Sequence, residues 1–224
     1  MESLINLIKN NTLFRHLSDE IQFELASSAK HQALSAQEIF VHQGDIWPYF
    51  FIIADGEINL SKESQEGRIF LITTLKLGDV FWGLAFFHEG APMPVILQAS
   101  TDGVIYTWRR DQLVPIIKDN GNFSWSLSKT LVRRMQLASD ILDDLAFQPV
   151  MARLAGLLLD LFEDAEEQFT AREFTLEDMA ARIGTTREMV CRHLYRFAEK
   201  GVIDISRTEL KIKDRAFLET QAGS

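Results

Sequence analysis

The sequence contains a single cysteine among 224 residues. One cysteine excludes a disulfide framework within the chain, and it excludes a zinc or iron–sulfur site held by four cysteines. An uncharged apolar run of about eighteen residues is also absent, so the pattern contains no transmembrane helix. Polar residues interrupt the N-terminal segment, which excludes the apolar core of a secretory signal. We therefore expect a cytoplasmic protein that does not enter a membrane.

The sequence also lacks several common motifs of enzyme active sites. No G-x-S-x-G turn occurs, and no G-x-G-x-x-G run lies at a strand-to-helix turn. A cupin-like metalloenzyme needs an H-x-H pair, a downstream acid and a third histidine, whereas His42 and His88 stand alone. We predict that the protein is not an enzyme and holds no metal. A β-roll metalloenzyme is the less favoured alternative.

Positive charge is concentrated near the C-terminus. The formal net charge of the chain is −9, yet residues 182–215 carry nine Lys and Arg against five Asp and Glu, a local net charge of +4. A basic surface on an acidic body suits contacts with a phosphate backbone. Double-stranded DNA is therefore the expected partner of this span.

The same span has the pattern of two short helices joined by a tight turn. In the first, four apolar residues recur at i, i+3, i+4 and i+7 after Thr175, which stands at the N-cap position. Gly184 can take the positive φ that ends a helix, and Thr185 or Thr186 can cap a second helix over Arg187–Glu199. This arrangement predicts a helix-turn-helix.

The second helix has two distinct faces. Val190, Leu194 and Phe197 form its inner face, and His193 beside them is expected to pack there rather than to bind a ligand. The outer face carries Arg187, Glu188, Cys191, Arg192, Tyr195 and Arg196. Arginine can donate to two acceptors of guanine, and glutamate can accept from cytosine N4. The alternative interpretation is a helical hairpin whose charged face is only solvated.

A β-hairpin wing is predicted after this helix. Residues 202–206 and 209–213 alternate in polarity, and Arg207-Thr208 forms the turn between them.

The run Gly184-Thr-Thr-Arg-Glu-Met-Val-Cys-Arg-His-Leu resembles the recognition helix of the Crp/Fnr family of bacterial transcription regulators, whose pattern is Gly-x-(Ser/Thr)-Arg-Glu-x-Val-x-Arg. The resemblance implies a homodimer that binds DNA and contacts RNA polymerase. It implies that Arg187, Glu188 and Arg192 read bases, which favours half-sites of the TGTGA kind. The DNA-binding set that we predict is Arg187, Glu188, Arg192, Thr186, Cys191, Arg196 and Arg207. Cys191 is either a small residue tolerated beside DNA or a redox switch.

The N-terminal half has the pattern of a β-sheet protein. Short apolar runs between Gln37 and Trp108 alternate with turn residues, which predicts an antiparallel sandwich or barrel. Before them we predict two short helices in Leu4–Leu17 and a helix over Ile21–Ser28 capped at Ser18. This half resembles the cyclic-nucleotide-binding β-roll of the same family, so the expected fold class is α+β.

The effector segment departs from that family. The family's Gly-Glu-Leu and Arg-Ser stretches, which hold ribose and cyclic phosphate, correspond here to Trp82-Gly83-Leu84 and Met93-Pro94, and its adenine-contacting Thr-Ser pair is Ala138-Ser139. Without a cation, a buried phosphate would cost several kcal/mol. We therefore expect no cyclic AMP in the usual pose. The effector pocket that we predict consists of Trp82, Gly83, Leu84, Met93, Pro94 and Ser139.

The effector itself is unknown, and three interpretations stay open. The aromatic side chains of this segment either pack the roll shut, or they line a site for an apolar ligand or haem, with His42 and His88 as candidate axial ligands. The third interpretation is a cyclic-nucleotide sensor with a rearranged site. We expect no cofactor unless it is haem.

A long helix over about Phe123–Ala146 follows a short helix over Asp111–Lys118, in which Pro115 is expected near the start. A heptad seam on the long helix indicates either a dimer contact or core packing, and the resemblance favours the dimer. Its residues are Leu131, Met135, Ala138, Leu142 and Leu145.

Pro149 is expected to end the long helix and supply a hinge, because the residue before a proline disfavours helical geometry. A further helix is expected over Val150–Phe162. The acidic run Glu163–Glu167 is expected to be a solvated loop. The predicted domains are 1–121 (β-roll with N-terminal helices), 122–147 (dimerisation helix and hinge) and 148–224 (winged helix-turn-helix).

Overall fold

A computed structural model of the chain describes residues 2–162, 169–171, 174–206 and 208–223. It divides into two compact units, one of Met1–Glu63 with Ile72–Leu137 and the other of Ser64–Leu71 with Ala138–Ser224. Among the described residues, no helix is long and apolar enough to cross a membrane.

The elements of the described residues follow one another in this order: α1 (Glu2–Asn10), α2 (Asp19–Ser28), β1 (Lys30–Leu34), β2 (Ile39–Val41), β3 (Tyr49–Asp55), β4 (Ile58–Glu63), β5 (Ile69–Leu75), β6 (Val80–Trp82), α3 (Leu84–Phe87), β7 (Ile96–Ala99), β8 (Gly103–Arg109), α4 (Arg110–Asp119), α5 (Gly121–Phe147), α6 (Val150–Leu161), β9 (Thr170–Ala171), α7 (Leu176–Ile183), α8 (Arg187–Glu199), β10 (Ile203–Ile205), β11 (Glu209–Ile212) and α9 (Arg215–Ala222).

Two four-stranded sheets make up the β-roll, with strand orders β1-β8-β3-β6 and β2-β7-β4-β5; all these strands belong to the first unit except the first residues of β5. The predicted antiparallel sandwich is confirmed, and apolar side chains such as Phe51, Ile53, Leu97 and Ile105 form a core of the roll. The sequence patterns missed β1. Among the described residues this strand is at the edge of its sheet and pairs with β8 alone, so most of its side chains stay exposed or half-buried and Leu34 is buried.

The helices of the first unit cover one of these sheets. Phe14 packs against Phe123 at a ring-centroid distance of 5.4 Å and against Trp108 at 5.7 Å. Trp108 is fully buried, and its Nε1–H donates to the backbone oxygen of Leu25 at 2.8 Å. These contacts join α1, α2, α4 and the first turns of α5 into one core with the β-roll.

The N-terminal segment differs from its prediction. One helix, α1, is followed by turns rather than by a second helix. The Asn11 side-chain oxygen accepts a hydrogen bond from the Leu13 N–H at 2.9 Å, and its amide donates to the Gly78 oxygen at 2.7 Å. Such side-chain bonds compete with helical hydrogen bonding, which explains why the helix does not resume.

Pro115 lies inside α4 and not near its start, so that prediction is wrong. The helix begins at Arg110 because the Gln112 side chain accepts the Arg109 N–H at 2.8 Å and caps the end. Arginine is not a usual N-cap residue, so the local pattern indicated too late a start.

The second unit has its own core. Leu154 and Leu158 of α6 pack with Met179, Val190 and Phe197 from the two helices that follow. The predicted wing is present as the antiparallel pair β10–β11, to which β9 adds a third strand. The predicted acidic loop Glu163–Glu167 lies outside the described residues.

Candidate nucleic-acid interface

The turn between α7 and α8 is built from local hydrogen bonds. The Thr175 hydroxyl accepts the Asp178 N–H at 3.1 Å, and the Asp178 carboxylate accepts the Thr175 N–H at 2.9 Å, a reciprocal cap at the start of α7. Gly184 ends α7 in the left-handed region at φ 63°, and the Thr186 hydroxyl accepts the Met189 N–H at the start of α8. These bonds fix the angle at which α8 leaves α7.

The inner face of α8 is buried and its outer face is open. Val190, Leu194 and Phe197 are buried in the core of the second unit. Five of the predicted outer side chains are exposed and the sixth, Cys191, is half-buried; the exposed five are Arg187, Glu188, Arg192, Tyr195 and Arg196. The structure thus brings the predicted reading residues onto one surface. Arg207 lies outside the described residues.

Arg187 has a partner that the sequence patterns missed. Its Nε lies 3.1 Å from Oε1 of Glu177, which α7 presents beside the start of α8. Both side chains are more than half exposed, so the ion pair is worth at most about 1 kcal/mol. DNA can therefore replace Glu177 as the partner of Arg187 at small cost.

Glu188 is held in its ionised form. Its pKa is lowered because its carboxylate accepts its own backbone N–H and the hydroxyl of Thr186, with a further contribution from Arg187. An ionised carboxylate on this face can only accept hydrogen bonds, which is the role that a cytosine amino group requires.

The remaining guanidinium groups of the face are free to reach a ligand. Within the described part of the chain, Arg192 and Arg196 have no ion-pair or hydrogen-bond partner for their side chains. In the wing, Lys213 Nζ lies 3.4 Å from the carboxylate of Asp204, so that charge is partly compensated.

His193 is buried beneath this surface, with 7% of its surface exposed. Its Nδ1 has no hydrogen-bond partner among the described residues. Burial lowers the pKa of the imidazole, and the nearby charges of Arg196 and Arg192 lower it further. The neutral form therefore occupies the core, consistent with the packing position that we predicted.

A second residue without a sequence signal, Arg153, connects the ends of α5, α6 and α7. Its guanidinium donates to the Ile183 oxygen at the end of α7 at 2.9 Å, to the Asp144 oxygen at 3.1 Å and to the Gln148 oxygen at 2.5 Å. Burial lowers its pKa, and Asp144 opposes that shift. One side chain therefore connects the last turn of α5, the segment before Pro149 and the helix-turn-helix.

The side chains predicted for the dimer seam all lie exposed along α5: Leu131, Met135, Ala138, Leu142 and Leu145. Trp125 and Val132 add to the same exposed apolar surface, at 65% and 64% exposure. Met135 and Leu142 are largely open in the single chain, so core packing within the chain does not explain these two positions, whereas Leu145 also lies against Gly184.

The structure brings only some of the residues predicted for the effector pocket together, because Gly83 lies close to the Met93 sulfur while the other residues are dispersed. Trp82 is stacked on Phe50 at 5.5 Å in one core, whereas Met93 is buried in another. Leu84 and Pro94 are exposed. Ser139 is also exposed and belongs to the second unit.

Gly83 explains why no glutamate fits in this segment. A Cβ at this position would fall on the backbone oxygen of Trp47 and 3.2 Å from the Met93 sulfur. Backbone atoms cannot be displaced cheaply, so the position accepts only glycine.

Neither candidate haem ligand lies in an enclosed pocket, because His42 and His88 are both exposed. The described residues also contain no group of three or more His, Cys, Asp or Glu side chains placed to hold a metal ion.

Two family models match the chain. A model described as a cyclic nucleotide-binding domain matches residues 31–120, and one described as a Crp-like helix-turn-helix domain matches residues 152–220. The first covers most of the β-roll, and the second covers most of α6 to α9 with the exposed face of α8.

Similar proteins of known description span nearly the same length. The cyclic AMP receptor protein of Thermus thermophilus is 27% identical over 214 residues, covering 95% of this chain and 97% of that protein. The CRP-like cAMP-activated global transcriptional regulator of Mycobacterium tuberculosis is 28% identical over 185 residues, covering 80% and 82%.

Solved structures share the fold. A structure from Eubacterium rectale, described as a transcriptional regulator of the crp/fnr family, has a TM-score of 0.79 at 20% identity and covers 95% of this chain and 98% of its own. The c-di-GMP responsive global regulator CLP of Xanthomonas campestris has a TM-score of 0.75 at 18% identity and covers 86% and 97%.

Proposed function

Because the chain belongs to the Crp/Fnr family of transcription regulators, we propose that it binds as a homodimer to a palindromic DNA site with half-sites of the TGTGA kind. The observation that carries the proposal is the outer face of α8. Arg187, Glu188 and Arg192 are exposed together there, and their donors and acceptor suit guanine and cytosine edges in the major groove.

The exposed apolar surface of α5 supports the homodimer. Met135 and Leu142 are 72% and 66% exposed and lie seven residues apart, the repeat of a two-helix seam. Half-sites one turn of DNA apart require the two recognition helices of such a dimer to lie about 34 Å apart.

We propose that DNA binding does not depend on cyclic AMP. Gly83 stands against the Trp47 backbone and Met93 is buried, so the segment offers neither a carboxylate for ribose nor a cation for a cyclic phosphate. The proposal includes no haem and no catalytic activity. RNA polymerase is the proposed protein partner, since a regulator acts on transcription.

Fluorescence anisotropy tests the DNA site. Purified protein would be titrated against a TGTGA–N6–TCACA duplex and a scrambled duplex at two salt concentrations, with and without cyclic AMP. We expect tight, salt-sensitive binding that prefers the palindrome and is unchanged by cyclic AMP. Equal affinity for both duplexes would refute the proposed half-site. An affinity that rises with cyclic AMP would refute the proposal that DNA binding does not depend on cyclic AMP.

Arg192→Ala tests in the same assay whether Arg192 reads a base. We expect it to cost about 1–3 kcal/mol in binding to the palindrome and much less in binding to the scrambled duplex, because a base contact is lost. Arg15→Ala removes an exposed arginine from the first unit and serves as the matched control. If the variant kept the full preference for the palindrome, Arg192 would not read a base.

A further inference from the structure

A cavity in the first unit carries more positive charge than its surroundings compensate. It has a volume of about 260 Å³ and lies between the turn after α1, the turn before β6 and the middle of α5. Its polar wall is formed by Asn11, Thr12, Asp79, Thr130, Arg133 and Arg134. None of these residues belongs to the DNA-reading face or to the predicted effector pocket.

The guanidinium of Arg134 is fixed in the wall of this cavity. It lies 3.9 Å from the ring centroid of Trp82 and 4.9 Å from that of Phe81, and it donates to the Val80 oxygen at 2.6 Å. Burial lowers its pKa to about 10, and the charge of Asp79 only partly opposes that shift. Aromatic rings and one carbonyl hold the group in place without neutralising it.

The hydrogen-bonding capacity of Arg134 is largely unused. A guanidinium has five N–H donors, and in the described part of the chain Val80 supplies the one acceptor for this side chain. A desolvated cation with unpaired donors is costly unless an acceptor or anion reaches it.

Arg133 adds a second uncompensated charge. It immediately precedes Arg134 on the same helix, lines the same cavity, and forms no ion pair or hydrogen bond through its side chain with any described residue. Asp79 is the one acid of the wall, and one of its carboxylate oxygens already accepts the Lys76 N–H at 2.8 Å. Two guanidinium groups against one carboxylate leave the cavity with a net charge of +1.

We propose that this cavity binds a compact oxyanion, a phosphate or carboxylate group, between Arg133 and Arg134. Planar guanidinium groups match the oxygens of either group in pairs. The hydroxyl of Thr12 lies in the same wall and supplies a neutral donor. The small volume restricts the ligand to a compact molecule or to the end of a larger one.

Isothermal titration calorimetry with inorganic phosphate tests the proposal. The full chain would be titrated in Tris buffer at pH 7.5 with ionic strength held constant by sodium chloride, because a general salt effect must not imitate binding. We expect saturable binding of one phosphate per chain. A parallel titration with succinate decides between phosphate and carboxylate, and saturation by either supports the site, whereas saturation by neither overturns it.

Variants localise the bound ion. Arg133→Ala should weaken binding about tenfold, since one charged hydrogen-bond donor is lost, and Arg134→Met should abolish it. Lys129→Ala removes a charge from the same helix outside the cavity and should bind like the unaltered protein. If Arg134→Met does not fold, the test rests on Arg133→Ala, and unchanged phosphate binding in that variant would overturn the site.

Phosphate can also bind the DNA-reading face, so Arg192→Ala belongs in the series. Loss of binding in Arg192→Ala but not in Arg133→Ala would overturn the site. The proposal does not rest on the DNA-binding proposal, because binding to duplex DNA is measured separately by anisotropy.

Discussion

His193 is a buried imidazole beneath the exposed outer face of α8. Its Nδ1 is buried without a hydrogen-bond partner among the described residues. The folded second unit therefore favours the neutral ring, as the lowered pKa indicates.

The stability of the second unit should consequently depend on pH. An unfolded histidine has a pKa near 6.5, and the folded value is lower. The contribution of the neutral ring is complete above about pH 6.5 and is lost as the pH falls towards the folded pKa, because the unfolded state then binds the extra proton. We expect faster hydrogen exchange in α7 and α8 at pH 5.5 than at pH 7.5, after correction for intrinsic exchange rates.

His193→Leu should remove most of this difference by restoring protection at pH 5.5. His42→Leu, at an exposed histidine of the first unit, is the control and should change nothing in these helices. An unaltered pH difference in His193→Leu would assign the effect to other groups.

At the scale of elements, the junction of α5 and α6 is held by hydrogen bonds from a side-chain donor as well as by the backbone. Pro149 caps α6 in an extended conformation, and Arg153 in the first turns of α6 reaches back to the end of α5 and across to the end of α7. Carbonyls at the ends of helices have no partner within the helix, so a guanidinium that binds them joins the elements.

Arg153→Ala should therefore destabilise the second unit by roughly 2 kcal/mol, because three backbone acceptors lose a charged donor. Arg153→Lys should recover only part of this loss, since an ammonium cannot span the same acceptors. Hydrogen exchange of α7 measures the effect.

All four tryptophans lie in the first unit: Trp47, Trp82, Trp108 and Trp125. Unchanged tryptophan fluorescence in Arg153→Ala would therefore show that the first unit stays folded. Equal protection of α7 in Arg153→Ala and the unaltered protein would contradict the role of this clamp.

At the scale of the whole molecule, the apolar surface of α5 is the feature that a single chain does not explain. Trp125, Val132, Met135 and Leu142 are each more than 60% exposed on one helix. Exposed apolar stripes of this kind mark contact surfaces between proteins. The proposed homodimer covers them.

Leu142→Glu should shift the protein to monomers. Each dimer would bury two added carboxylates near its axis, which should raise the dissociation constant about 100-fold or more. Sedimentation equilibrium measures this. Asp143→Ala, about 100° around the helix from Leu142, should leave the association unchanged. If Leu142→Glu stayed as associated as the unaltered protein, the contact would lie elsewhere.

Much of the fold was predictable where neighbouring residues decide it. Thr175, Gly184 and Thr186 occupy the cap and turn positions that their types favour, and α8 has the predicted bounds. The strands of the roll also follow their apolar runs. The polar edge strand β1 was missed because its partner strand β8 defines it, and Pro115 was expected near the start of α4 although it lies inside that helix.

The sequence by itself determined the helix-turn-helix, the exposed outer face of α8 and the β-roll, because hydrogen bonds and apolar periodicity within a few residues specify them. Only the tertiary structure decided that Glu177 pairs with Arg187, that the Trp47 backbone leaves room only for glycine at position 83, and that the Arg134 guanidinium lies on Trp82. The last two contacts join residues far apart in the chain, and all three depend on how the elements pack. No local pattern encodes such distances, since chain closure and packing set them.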